Sequence, residues 1–161
     1  MQRMQRMHTH KQHIHTRRTA RGATAIEFAL LFPLFFLIFY AIVTYSLIFV
    51  AQQSLTLAAE EGARAALNFQ KADSVSAALT LRAGAACSTA NNLTNWLADS
   101  AKCVATPNPC TFNTAMECVT VTLSYDYAAR PLVPSLPGLG IALPAQLTST
   151  AMVQLNPGFV L

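Results

Sequence analysis

The sequence predicts an α+β fold, in which a long N-terminal transmembrane helix continues into an exported domain with a small antiparallel sheet. Three observations carry the prediction. An apolar run, FALLFPLFFLIFYAIVTYSLIFVA at 28–51, lies within a stretch from Phe28 to Ala59 that holds no charged residue. Good helix formers then follow without a proline as far as residue 70. Later, ECVTVTLSYDY (117–127) sets Val119, Val121, Leu123 and Tyr125 on one face, the period-two signature of a strand. QLTSTAMVQL (146–155) reads as a second strand able to pair with it.

The first element is the anchor. About 20 apolar residues cross roughly 30 Å of hydrocarbon, and the run at 28–51 exceeds that length. It is too long for the core of an ordinary secretory signal, and no clear small-x-small cleavage site closes it. Pro33 stands inside it. Its missing amide would leave the Ala29 carbonyl without a helical partner, so a kink is expected near Ala29–Pro33.

Charge sets the direction of insertion. Charged residues make up 11% of the chain, against about 25% in soluble domains, so a membrane or envelope class fits better. Six of the eleven basic residues (Arg3, Arg6, Lys11, Arg17, Arg18 and Arg21) fall within 1–22, a segment with no acid. The five that remain face all seven acids. The net charge of +4 therefore belongs to the leader, and nucleic acid is excluded as a partner for want of a basic patch on the folded part. Positive charge crowded before the apolar run points the N-terminus to the cytoplasm. The expected organisation is a basic leader at 1–22, a transmembrane helix at 23–51 and an exported part at 52–161.

Catalysis finds little support. Every histidine (His8, His10, His13 and His15) lies in the leader, so the exported part holds none for a Ser-His or Cys-His mechanism. Asp73, Asp99, Glu117 and Asp126 show no spacing that favours paired-carboxylate chemistry. The leader histidines could bind a metal, but close histidines on such a tail are more often solvated. The expectation is no enzyme, no cofactor and no metal.

Beyond the membrane, Leu55, Ala58, Gly62 and Ala66 form a stripe of mostly small side chains at helical spacing. Such a stripe permits close packing, here expected against the chain's own C-terminal part rather than a neighbouring subunit. Glu60 and Arg64 stand four apart in the order that supports a helix. Residues 74–102 read as one or two short helices, with Trp96 as a core anchor. Prolines and asparagines mark 103–114 as a loop, and the proline-punctuated PLVPSLPGLGIALP (131–144) as an unusually apolar one.

Cys87, Cys103, Cys110 and Cys118 all follow the apolar run. An even number in a small exported region reads as two disulfides. No C-x-x-C element supports the zinc alternative. Three pairings satisfy the count. Cys87–Cys103 with Cys110–Cys118 is preferred because each closes a local loop.

The sharpest motif is Arg21-Gly22-Ala23-Thr24-Ala25-Ile26-Glu27-Phe28. A lone carboxylate next to a membrane helix is costly in depth, and at the helix start it complements the dipole. If the chain is cut after Gly22, Ala23 gains a charged amine with Glu27 one turn away. That arrangement resembles the cleavage site of type IV prepilins. The sequence is similar to the TadE family of pseudopilins of the Tad (Flp) pilus, over residues 21–70 (RGATAIEFALLFPLFF and AQQSLTLAAEEGARAAL). The likeness resumes over VTVTLSYDY, the proline-rich loop and QLTSTAMVQL. Family members commonly carry a second acid late in the membrane helix, where this chain has Thr44. TadF- and TadG-type proteins share the N-terminal motif, and the short chain argues against the large TadG form.

The resemblance implies a single-pass protein of a bacterial inner membrane, with its C-terminal domain in the periplasm or in a pilus. Its partners would be that membrane, a prepilin peptidase cutting between Gly22 and Ala23, other pilins and pseudopilins, and Tad assembly proteins. Glu27 would pair with the new amine. The competing reading is a generic membrane-anchored extracytoplasmic scaffold or receptor with an uncleaved N-terminus.

Overall fold

From the motif to residue 65 the chain makes one element, α1 (Ala20–Ala65), which runs through Pro33. It is followed by α2 (Val75–Thr94), β1 (Ala101–Cys110), β2 (Asn113–Asp126) and β3 (Gln146–Leu155), with short 3-10 turns at Asn95–Leu97, Gly140–Ala142 and Pro157–Phe159. The computed structural model describes residues 20–97, 100–136 and 140–159. The leader residues 1–19, with their histidines, and Asp99 lie outside the described residues. Helix, second helix and three-stranded antiparallel sheet make an α+β fold.

The chain divides into two compact units, Met1–Ala41 and Ile42–Leu161. In the first, every described side chain from Thr24 to Phe39 is exposed. A helix that is apolar on all sides suits hydrocarbon better than water. Phe28, Phe32 and Phe36 form a ladder along it, with ring centroids 5.4 and 6.4 Å apart. The α1 helix continues through Pro33 without a break.

The second unit holds the core. From Thr44 onward one face of α1 is covered: Ile48, Ala51, Leu55, Ala58, Ala59 and Ala63 are all buried, as is Ala66 just beyond its end. The small-residue stripe therefore packs within its own chain. Gly62 shows why small residues are needed there. A Cβ on it would lie 2.9 Å from the Ala86 carbonyl oxygen of α2, 3.3 Å from the Ala90 Cβ and 3.4 Å from Val121 of β2. The Ser74 hydroxyl caps the start of α2 by accepting from the Ala77 amide at 3.2 Å, satisfying one of the donors that a helix start leaves open.

The strand order is β1-β2-β3, with β2 central and both pairings antiparallel. Val119, Val121, Leu123 and Tyr125 are all buried, as their alternation predicts. The opposite face is polar, with the Thr122 and Thr150 hydroxyls 3.3 Å apart across the β2–β3 pair. Tyr125 donates from its phenol to the Arg130 carbonyl. Burial holds that phenol above the ordinary tyrosine range, and the nearby Arg130 charge partly offsets the effect.

Three expectations are corrected. Residues 103–114 are not a loop: Ala101–Cys110 is a strand, and β2 already begins at Asn113. Pro107 and Pro109 are tolerated because β1 is an edge strand and they stand two apart, so both turn the side without a donor away from β2. Trp96 is not a core anchor. It is 48% exposed, with its indole N–H donating to the Ser54 hydroxyl at 2.9 Å, while Leu97 takes the core position at 2%. The turn at 95–97 rotates the smaller neighbour inward. Arg64 pairs with Glu61 at 3.0 Å rather than with Glu60. Both partners are exposed, so the pair contributes little.

The disulfides are Cys87–Cys103, which ties α2 to β1, and Cys110–Cys118, which spans the β1–β2 hairpin. This is the local pairing preferred from spacing. The first closes a sequence separation of 16, the second one of 8. Because loop-closure entropy grows with loop length, replacing Cys87 and Cys103 by alanine is expected to cost about 3 kcal/mol, and the Cys110/Cys118 pair less. Urea unfolding of each double variant, followed by circular dichroism under non-reducing conditions, measures that order.

Candidate assembly and anchoring site

The residues singled out by the motif lie at the beginning of α1. Gly22 and Ala23 belong to its first turn, where the amides have no intrahelical acceptor and unwinding costs least. Glu27 follows four residues later, one turn along the helix, and is exposed. Among the described residues it has no ion-pair partner. Its neighbours Ile26, Phe28, Leu30 and Leu31 are exposed apolar side chains, so a carboxylate is set into an otherwise greasy cylinder. A carboxylate so placed is available to a cation brought to it by cleavage or by a neighbouring helix.

The helix is long and apolar enough to cross a membrane, over a span of Thr24–Ala65 by length and composition. The part exposed all round is shorter. Thr24 to Phe39 is exposed all round, whereas Thr44 is buried by the second unit at 1%. Thr24–Val43 at 1.5 Å per residue is about 30 Å, one hydrocarbon thickness. Among the described residues this is the one helix long and apolar enough to cross a membrane.

Thr44 occupies the position of the second acid in the resemblance. Its hydroxyl is buried without a hydrogen-bond partner, unlike Ser46 and Thr56, which donate back to Ile42 and Gln52. Position 44 therefore faces the chain's own domain and not an open helix surface.

Sequence reasoning missed the side chains that fasten α1 to the rest of the second unit. The Tyr45 hydroxyl donates to the Ala142 carbonyl at 2.7 Å, and the Gln52 amide to the Thr148 carbonyl at 3.0 Å. The buried Arg82 donates to the carbonyls of Ala66 and Leu67 at 3.2 and 3.1 Å, capping the end of α1 from α2. A cation there also complements the helix dipole. No local pattern marks these residues, since each partner lies at least 15 residues away.

Among the described residues no group of three His, Cys, Asp or Glu side chains comes together to hold a metal. The Asp126 carboxylate accepts from the Ala129 amide at 2.9 Å and so shapes a turn.

Comparison with curated proteins and with solved structures returns no match. Comparison with protein families does. Residues 22–64 match the family described as TadE-like protein. The matched stretch begins at the motif glycine, contains Glu27, Pro33 and Thr44, and ends one residue before the end of α1. By that match the N-terminal segment of this chain, residues 22–64, is similar to the TadE-like family.

Proposed function

We propose that the chain is a minor, pilin-like component of a Tad-type pilus assembly system. In this reading it is made with a cytoplasmic basic leader, anchored in the bacterial inner membrane by α1, and cut by a prepilin peptidase between Gly22 and Ala23. The second unit then stands on the periplasmic side or enters the pilus, and the protein aids biogenesis of a fibre built mainly from another pilin. The observation that carries the reading is Glu27: an exposed carboxylate at the head of a charge-free run, five residues after the glycine that opens the TadE-like segment. The paired disulfides support an exported domain, since such bonds persist outside the reducing cytosol. Pro33 belongs to the same reading: it removes one helical hydrogen bond, and a bend there would let neighbouring helices pack around Glu27.

Processing is the direct test. A peptidase that approaches the backbone closely at the scissile bond needs a minimal side chain there. Gly22→Val is therefore expected to accumulate a form heavier by residues 1–22, while the unsubstituted protein begins at Ala23. Intact mass spectrometry of membrane fractions reads both. If the unsubstituted protein keeps residues 1–22, the pilin-like reading fails and an uncleaved scaffold takes its place.

A further inference from the structure

We infer that the proline-rich loop between β2 and β3 is a second membrane contact, resting in the interface of the same bilayer that α1 crosses. The inference rests on the anchoring reading of α1 and adds a surface to it. Three contacts order the second unit along the helix. Tyr45 holds Ala142 of the loop, Gln52 holds Thr148, and the Ser149 hydroxyl lies 3.2 Å from that of Thr56. Thus β3 climbs beside α1 away from Tyr45, and the loop stays behind at the Tyr45 end. Tyr45 itself stands where a bilayer-length helix emerges, since 20 residues counted from Thr24 end at Val43. A loop tied to that level by a hydrogen bond must meet the headgroups.

Its chemistry suits that place. Beyond the exposed Arg130 at its start, the loop carries no Asp, Glu, Lys or Arg, and none occurs from Pro131 to Leu161. In the described part, Leu132, Val133, Leu136 and Leu143 are half-buried, while Pro131, Pro134 and Ala142 are exposed. Loops facing water are ordinarily polar, and this one is not. On the helix at the same level, Tyr45 is 46% exposed and Phe49 67%. Tyrosine is favoured at the membrane interface because it has an apolar body and a polar tip. Apolar groups in such a surface reach about 5–10 Å into the headgroup and acyl boundary. The opposite end of β2 differs: Phe112, at the hairpin tip, lies roughly 40 Å of strand away at 3.3 Å per residue.

Depth-dependent quenching tests the contact. The full chain, carrying Trp96→Phe to remove the native indole, is reconstituted in phosphatidylethanolamine–phosphatidylglycerol vesicles, a fraction of whose lipids are brominated high on the acyl chain. Single reporters are Phe36→Trp in the span, Leu136→Trp in the loop and Phe112→Trp at the hairpin tip. Retention of both disulfides by non-reducing mass analysis shows that each variant folds. Brominated lipid is expected to quench Leu136→Trp to an extent comparable with Phe36→Trp, and aqueous acrylamide to quench Phe112→Trp alone. Lipid quenching of Phe36→Trp but not of Leu136→Trp would overturn the loop contact and leave the anchor standing. Protection of Leu136→Trp from both quenchers would overturn it too, in favour of a protein neighbour on the loop. Absence of lipid quenching at Phe36→Trp would remove the anchoring reading itself.

Discussion

Glu27→Ala protein is expected to insert and to be cleaved, yet to lose roughly a hundredfold in association with its pilin-like partners, with loss of surface pili. Under the proposed function, cleavage creates an ammonium group at Ala23, and only Glu27 stands one turn away on an otherwise uncharged helix face. An ion pair in water contributes little. Between helices packed in a membrane or a fibre the dielectric is low and the attraction larger. Removing one member leaves the other charge buried and unpaired, a loss of about 3–5 kcal/mol. Each 1.4 kcal/mol is a factor of ten in affinity, so even the lower value gives about two orders of magnitude. Co-purification of the cleaved variant with its partners, alongside a count of pili, measures the effect. Association and piliation at the level of the unsubstituted protein would reduce Glu27 to a helix-start carboxylate that favours the dipole.

Gly62→Leu is expected to destroy the packing of the second unit, and even Gly62→Ala to destabilise it by about 1–3 kcal/mol. The sign is informative. Alanine is the better helix former by about 1 kcal/mol, so at an open helix position the same exchange stabilises. At Gly62 a Cβ would meet the Ala86 carbonyl oxygen at 2.9 Å, and a backbone oxygen cannot swing aside as a side-chain tip can. Leucine adds three more carbons to that clash and must push α2 and β2 away from α1. Gly84 supplies the contrast. It lies on α2, is exposed, and has nothing within 4 Å of a Cβ position, so Gly84→Ala should raise stability by about 0.5–1 kcal/mol. Chemical denaturation of the three variants in detergent checks the predicted order. Equal midpoints for Gly62→Ala and Gly84→Ala would show that the α1–α2 approach is looser than described.

Membrane segment, motif and central strand were legible because each is a local property of the chain. An uncharged run needs only its length to identify it. The β2 alternation of Val119, Val121, Leu123 and Tyr125 records a buried face directly, because side chains of a strand alternate across the sheet. The Gly22–Glu27 motif depends on spacing along one helix and on nothing distant.

Other features needed the tertiary structure. Prolines 107 and 109 argue for a loop in isolation, and only the position of β1 at the sheet edge makes them compatible with a strand. Trp96 carries the largest apolar surface in its segment, yet a single 3-10 turn faces Leu97 inward instead. For Arg64 the choice between Glu60 and Glu61 depends on side-chain direction, which helical spacing alone leaves open. The ties from Tyr45 to Ala142 and from Arg82 to the end of α1 join residues 97 and 15–16 positions apart, and they exist only once the chain has closed on itself. By itself the sequence determined which part is apolar, which is charged and where the period changes, because those follow from neighbours along the chain. What covers the far end of α1, and so where full exposure gives way to a packed face, was decided by long-range packing whose partners no local pattern names.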